Sequence, residues 1–421
     1  MNRIILIGNG FDLAHGLRTN YEHFIDWFWN KEIKKIKLIN INDDIYKYKY
    51  ECAYFLLYSY YYYPEIQEFK NFSQIRDFIE SKNNVLNIKI EFKNDFLEKI
   101  SEESLFNWVD IEEEYYKLLL ETSNDNVSEL NNAFLSIKKE LETYLIEITK
   151  NGVELNKTIV KNIYSEFDLN DFTKEGVKQM TNDFVNKTFE LFEKKEKLDV
   201  CNLEYKTELL LSQKDLDKPS IEKMFLDDIN RNSFFNLFPD NLLFLNFNYT
   251  NTEKVYFEHK DNNLSCSLYP HRLETIKSEN KDIIHIHGEL NNSQNPIIFG
   301  YGDEIGKEYS EIENLNKNEY LENIKSIRYS DTKNYKRLLD FINSDAYQIF
   351  LFGHSCGLSD RTLLNTLFMH KNCVSIKLFY HKKDGTDDYS NVVRNISRHF
   401  KDDKAMMREK VVNKEYCQPL S

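Results

Sequence analysis

Four short segments of this sequence combine glycine or asparagine with residues that can bind a ligand or move a proton. Each follows an apolar run of strand length, and they begin at Gly8, Asn246, His285 and Gly353. Open parallel sheets bind ligands at the carboxyl ends of their strands, where such loops meet. The pattern therefore predicts one site, built from loops that are far apart in the sequence.

The first segment, Gly8–Asp12, opens a predicted helix. Its glycines would let the backbone approach a phosphate, and the helix N-terminus would supply N–H donors. Leu13 stands where the dinucleotide fingerprint has its third glycine, and no acidic residue ends a second strand, which argues against a nicotinamide oxidoreductase. A tight strand–helix turn with Asp12 as the helix cap is the alternative.

In the second segment, Asn246 and Asn248 could bind ribose or an attacking water, because an amide both donates and accepts hydrogen bonds. An Asx-turn with Thr252 capping a helix explains the same residues equally well. The third segment places His285 and His287 two apart, which would permit a metal pair, but no third ligand at fixed spacing supports one. We expect His285 to be a strand residue and His287 a general base.

The fourth segment, Gly353–Gly357, matches the G-x-S-x-G pattern of a serine nucleophile. A serine hydrolase using Ser355 would need an acid and a histidine after later strands. His381 and His399 follow, but Val374–Tyr380 is the one clear strand left. We expect this segment to form a ligand-facing turn instead, and the hydrolase remains the alternative.

An acidic cluster lies between these segments, in the sequence from Trp108 to Glu114. Acids in a first helical turn complement the helix dipole, which is the simpler explanation. A role for Asp110 or Glu113 in the site is the alternative.

The elements that must position these loops form an α/β fold. The continuous apolar run Arg3–Ile7 is typical of a strand buried on both faces of a parallel sheet. Residues 21–236 show helical spacing with almost no strand pattern. After Pro239 come five short apolar runs, namely 242–245, 283–286, 297–299, 347–352 and 374–380. We therefore predict a Rossmann-like parallel sheet from residues 1–25 plus 237–421, and an all-helical insertion, residues 26–236.

Composition limits the function further. A net charge of −14 over 421 residues argues against general nucleic-acid binding, and no segment has the length of a membrane span. The six cysteines form no C-x-x-C pair, which is typical of reduced thiols in the cytoplasm. The tyrosine-rich run Tyr54–Tyr63 is too apolar for a free surface, so the insertion is expected to cover the site or form a homo-oligomer interface.

Taken together, these segments resemble the AbiH family of bacterial phage abortive-infection proteins. The resemblance rests on Ile4–Leu17, the cluster of Trp108, Asp110 and Glu112, Asn246–Asn251, His287-Gly288, and Gly353–Asp360 in that order. More distantly, the same loops resemble the sirtuin-type NAD-binding fold. Asp12 and Thr250 replace the serine and aspartate of the sirtuin loops, and the absence of a C-x-x-C zinc ribbon argues against a protein deacylase.

The resemblance implies an antiphage effector in the bacterial cytoplasm that hydrolyses NAD⁺ as its substrate, without a metal, in response to a phage-derived trigger. Asn248 and His287 would be catalytic. The nucleotide would be bound by Gly8, Asn9, Gly10, Phe11, Asp12, Asn246, Gly288, Gly353, His354, Ser355 and Asp360. A nucleotide sensor that turns nothing over is the alternative, followed by the serine hydrolase.

Overall fold

The structure is a computed structural model, and it describes residues 1–41, 46–86, 88–105, 110–123, 125–194, 205–213, 216–258, 280–401 and 403–420. Within these ranges the strands are, in chain order, β1 (Asn2–Ile7), β2 (Ile39–Asn40), β3 (Tyr48–Glu51), β4 (Phe55–Ser59), β5 (Lys89–Phe92), β6 (Leu242–Asn246), β7 (Lys281–His285), β8 (Tyr347–Phe352), β9 (Cys373–Tyr380), β10 (Lys382–Lys383), β11 (Thr386–Asp387) and β12 (Gln418–Pro419).

The α-helices of the same ranges are α1 (Asn9–Ala14), α2 (Tyr21–Ile33), α3 (Phe72–Leu86), α4 (Asp95–Glu103), α5 (Ile111–Glu121), α6 (Val127–Thr149), α7 (Lys157–Ile163), α8 (Lys174–Glu193), α9 (Tyr205–Leu211), α10 (Lys218–Leu226), α11 (Asp228–Phe234), α12 (Lys254–Phe257), α13 (Lys307–Asn314), α14 (Lys325–Arg328), α15 (Asn334–Ser344), α16 (Arg361–Phe368), α17 (Tyr389–His399) and α18 (Lys404–Lys410). Short 3₁₀ turns lie at Pro64–Glu68, Leu169–Asp171, Asn318–Tyr320, Leu358–Asp360 and Lys414–Tyr416.

The central element is a six-stranded, all-parallel sheet with the order β12-β9-β8-β1-β6-β7. Strand β1 lies inside it, with Ile5 paired to Phe244 on one side and to Phe350 on the other. This confirms that the first strand joins a parallel sheet made otherwise of strands after residue 240. A Rossmann-like or sirtuin-like classification of the sheet stays a prediction.

Helices bury both faces of the sheet. Ile4 and Leu6 enter one apolar core with α15, α16 and α17, while Ile5 and Ile7 enter another with α1, α7 and α12. Because alternate side chains of a strand point to opposite faces, a strand covered on both sides must be apolar throughout. This explains the continuous apolar run at the N-terminus.

The expectation of an all-helical insertion is wrong. Strands β2, β3, β4 and β5 form an antiparallel sheet in that order. The tyrosine-rich run contributes β4, in which Phe55, Leu57 and Ser59 are buried and the residues between them are partly exposed. The two partly exposed positions of β4 are Leu56 and Tyr58, and because both are large and apolar or aromatic they obscured the alternation that marks a half-buried strand.

The expectation of a strand at residues 297–299 is also wrong, since these residues form no strand. Ile298 donates one backbone hydrogen bond to His287. Ile297 and Phe299 pack into the core that the insertion forms around α4, α5 and α6, while Ile298 packs into the core of the parallel sheet. The apolar run therefore joins two cores rather than extending a sheet. The division of the chain into residues 1–25 plus 237–421 and 26–236 stays a prediction.

Within the described ranges, none of the helices has both the length and the apolar character that crossing a bilayer requires.

Candidate functional site

The carboxyl ends of β1, β6 and β8 and the loop after β7 meet around a cavity of about 300 Å³. It is lined by ten of the residues that the sequence predicted for the site, namely Gly8, Asn9, Gly10, Asp12, Asn248, His287, Gly353, His354, Ser355 and Asp360. Residues separated by more than 340 positions are thereby brought to one edge of the sheet. Whether they bind a nucleotide stays a prediction.

Three of the predicted ligand contacts lie away from this cavity. Phe11 is fully buried in the core beneath α1. Asn246 is buried, and its side-chain Nδ2 donates to Thr250 O (3.0 Å) and Glu253 Oε2 (2.6 Å). Gly288 has a φ of 85° and packs against the backbone of Pro296. These three residues shape the loops around the cavity.

The glycines of the first and fourth loops pack against each other. The Gly10 amide donates to Gly353 O at 2.8 Å, and a Cβ on Gly353 would lie 2.3 Å from the backbone nitrogen of Phe11. Glycine is therefore required because two backbones touch here. The Phe11 amide donates to Gly8 O, so two amides of the first helical turn are already bonded within the protein.

A buried ionic network forms one wall of the cavity. Lys325 Nζ lies 2.7 Å from Glu112 Oε2 and 3.0 Å from Asp360 Oδ1. Glu112 Oε1 accepts from Tyr249 Oη (3.3 Å) and from the Gly300 amide (3.2 Å). The network joins the insertion, through α5, to the loop that follows β8. Buried charges of this kind are tolerated because each is paired and hydrogen-bonded.

Burial and this pairing displace the pKa values of the network. Burial raises the pKa of Glu112 to about 7, against the opposing effect of Lys325. Burial would also raise the pKa of Asp360, but Lys325 and then the two neighbouring histidines hold it well below its usual range. Asp360 is therefore ionised at neutral pH, whereas burial works against the charged form of Glu112 and Lys325 favours it.

Two histidines approach the Asp360 carboxylate. His287 Nε2 lies 3.3 Å from Oδ1 and 3.2 Å from Tyr329 Oη, while His354 Nε2 lies 3.5 Å from Oδ2. Burial, followed by the charge of Lys325, lowers the pKa of His287 to about 3. His287 is thus neutral at physiological pH, and one of its two ring nitrogens is unprotonated.

His285 and His287 do not form a pair. His285 Nε2 lies 2.9 Å from Glu253 Oε1, on a carboxylate that is itself fully buried. His287 instead packs against Phe247 and Tyr329 beside the cavity. In the part of the chain that the structure describes, no three His, Cys, Asp or Glu side chains are grouped so that they could hold a metal ion.

The model of one protein family, bacteriophage abortive infection AbiH, matches residues 4–382. The chain belongs to the AbiH family. The match spans all four loops of the cavity as well as Glu112 and Lys325, and it confirms the resemblance that these segments carry. Membership implies a role in phage abortive infection. No curated protein matches the chain, and no solved structure does.

The geometry of this AbiH chain does not support a serine nucleophile at Ser355. A nucleophile elbow holds its serine on a strained turn directly between strand and helix. Here the positive φ angles belong to Gly353 (71°) and Cys356 (55°), and α16 begins six residues after Ser355. Among the described residues no histidine hydrogen-bonds the Ser355 hydroxyl, because His354 accepts from the Cys356 amide and His399 contacts Cys356 O.

The acidic cluster of the AbiH chain has a structural role and also reaches the cavity. Asp110 caps α5 by accepting from the amides of Glu112 (3.0 Å) and Glu113 (3.2 Å). Asp110 and Glu112 also line the cavity, whereas Glu113 is exposed. Trp108 lies outside the described residues.

Lys325 is the site residue that sequence reasoning missed. It belongs to the short helix α14, surrounded by ordinary charged residues, and nothing in that pattern distinguishes it from a surface lysine. Tyr21 and Tyr249, which also line the cavity, were missed as well. The position of Tyr249 within the asparagine segment was the one available signal.

Proposed function

We propose that this AbiH protein acts in abortive infection by hydrolysing NAD⁺ to ADP-ribose and nicotinamide. One observation carries the proposal: Asn248 and His287, on loops after different strands, line one cavity at the carboxyl edge of a parallel sheet. Such edges are where open α/β sheets bind nucleotides. The sirtuin-like pattern of the loops supplies the choice of substrate.

In the proposed reaction the bond between ribose C1′ and the nicotinamide nitrogen breaks, and its electron pair neutralises the positive ring. The oxygen of a water molecule then bonds to C1′, and the water loses one proton. Asn248 donates through Nδ2 to Gly8 O (3.0 Å), which leaves its side-chain oxygen to orient a ribose hydroxyl or the water.

His287 is the proposed proton acceptor. A base with a pKa of about 3 is weak. Water that has attacked an oxocarbenium carbon is strongly acidic, however, so a weak neutral base is sufficient to take its proton. The ionised Asp360 beside His287 then stabilises the imidazolium that forms.

The test is release of nicotinamide from NAD⁺ by the purified full-length protein, with and without extract from phage-infected cells. We expect release that depends on Asn248 and His287 and that persists in His381→Ala, which changes an exposed histidine outside this cavity. Binding of NAD⁺ without nicotinamide release in either condition would replace the enzyme with a nucleotide sensor. Absence of binding would remove both functions.

A further inference from the structure

Asp12 is the least satisfied side chain of the cavity. It is 1% exposed, and it lies on α1 where the first loop meets the second. Its Oδ2 accepts from the Thr250 hydroxyl at 2.6 Å. Its Oδ1 is fully buried and has no hydrogen-bond partner among the described residues. Buried carboxylate oxygens are normally paired, so an unpaired one beside a cavity calls for a donor that the protein itself does not provide.

None of the neighbouring donors bonds this oxygen among the described residues. Asn248 Nδ2 donates to Gly8 O at 3.0 Å, and the Thr252 hydroxyl lies 3.5 Å from the Thr250 hydroxyl. Burial raises the pKa of Asp12 to about 6, and the hydrogen bond from Thr250 and the nearby Thr252 and Asn248 offset only part of this. At neutral pH the carboxylate is therefore mostly ionised, and its free oxygen can only accept.

We infer that Asp12 Oδ1 binds an uncharged N–H or O–H donor of the ligand that occupies this cavity. The inference rests on the proposed nucleotide substrate and makes Asp12 a residue that determines its specificity. The nicotinamide half of NAD⁺ offers two kinds of donor, which are the carboxamide NH₂ and the hydroxyls of the adjoining ribose. The negative charge of Asp12 also suits the positive nicotinamide ring.

The experiment measures binding of NAD⁺, ADP-ribose and 3-acetylpyridine adenine dinucleotide by calorimetry to the wild-type protein, Asp12→Asn and the control Asp340→Asn. Asp340 is exposed on α15, away from the cavity. The acetylpyridine analogue lacks the amide N–H groups, and ADP-ribose lacks the nicotinamide but keeps the ribose hydroxyls. We expect Asp12→Asn to weaken NAD⁺ binding by about 10- to 100-fold, the usual effect of losing a hydrogen bond to a charged group.

The two donors give different patterns. If the carboxamide is the donor, the wild type binds the acetylpyridine analogue as weakly as Asp12→Asn binds NAD⁺, and ADP-ribose binding does not change. If a ribose hydroxyl is the donor, Asp12→Asn weakens ADP-ribose binding as well. Either pattern supports the inference, whereas equal binding of all three ligands by the wild type and Asp12→Asn would overturn it.

The outcomes also separate this inference from the proposed hydrolysis. If the wild type binds NAD⁺ but releases no nicotinamide, the proposed hydrolysis is wrong, and the binding pattern still decides the role of Asp12. A wild type that binds none of the ligands overturns both. If Asp12→Asn does not fold, the experiment measures how tightly the wild type binds the acetylpyridine analogue and NAD⁺ that lacks a ribose hydroxyl. Binding of both analogues as tight as that of NAD⁺ would contradict the inference.

Discussion

Lys325 and Glu112 form a buried ion pair across 213 residues of sequence, with 2.7 Å between Nζ and Oε2. Both side chains are almost completely buried, at 1% and 7% exposed. The pair connects the insertion to the sheet edge, because the Lys325 ammonium that binds Glu112 also forms an ion pair with Asp360. The insertion is therefore part of the cavity wall, and the shape of the site depends on this contact.

We predict that Lys325→Met destabilises the protein by about 3 kcal/mol, because removing one partner leaves buried carboxylates uncompensated. Urea unfolding measures the change. Lys414→Met is the matched control, since Lys414 pairs with Asp387 at 2.8 Å on the surface and its loss should cost less than about 1 kcal/mol. Equal effects of the two substitutions would show that the buried network contributes no more than a surface pair.

His285, the last residue of β7, and His287, just after it, should separate stability from function. His287→Ala is expected to abolish nicotinamide release while the protein stays folded, at a cost of about 1 to 3 kcal/mol, since it removes the buried contacts of His287 to Tyr329 and Asp360. His285→Ala should cost about 2 to 3 kcal/mol by leaving an oxygen of the buried Glu253 without its partner. Thermal melts beside nicotinamide assays measure both effects. A His287→Ala protein that still releases nicotinamide would contradict the catalytic role.

The contact between the first and fourth loops predicts unequal effects at two glycines with similar backbones. Gly353 and Gly16 have φ angles of 71° and 77°, so alanine at either position strains the backbone by about 1 kcal/mol. A Cβ on Gly16 meets nothing within 4 Å, whereas one on Gly353 collides with Phe11 and Gly10. Gly353→Ala should therefore cost at least about 2 kcal/mol more in urea unfolding. Equal costs would mean that the two loops can move apart freely.

Asp12 should make stability depend on pH in a known direction. Burial raises its pKa from 3.8 to about 6, so the folded protein binds this proton more tightly than the unfolded chain does. The carboxyl therefore lowers stability progressively as pH rises between these two values, and the full cost, about 2 to 3 kcal/mol, is present above pH 6.

Asp12→Asn removes this dependence. The stability difference between the variant and the wild type should shift in favour of the variant as pH rises from 4 to 7, and the exposed Asp340→Asn serves as the control. Chemical unfolding at several pH values measures the difference. A difference that does not vary with pH would show that Asp12 titrates alike in the folded and unfolded states.

Ser355 should not react with a fluorophosphonate probe. Its hydroxyl is exposed, but no described histidine is bonded to it and the strained φ lies on Cys356. Without a base, a serine hydroxyl is a weak nucleophile. Intact-mass spectrometry after labelling measures the outcome, and stoichiometric modification of Ser355 would restore the hydrolase alternative.

Much of the sheet and the loops of the site could be predicted from local sequence. Residues 4–7 are apolar at every position, which is typical of a strand between helices in a parallel sheet, and the other runs of this kind lie after residue 240. Because parallel strands share a carboxyl edge, the loops carrying Asp12, Asn248 and His287 had to converge. These conclusions depend on periodicity, which neighbouring residues define.

Only the tertiary structure decided which residues face each other. Lys325 belongs to the site because α14 lies between Glu112 and Asp360, and its own neighbours in sequence carry no sign of that. Residues 297–299 are apolar because they join two cores, and β4 pairs into a sheet although Leu56 and Tyr58 on its outer face hide the alternation. Burial, which sets the pKa values of Glu112, His287 and Asp12, arises from contacts across hundreds of residues and has no local pattern.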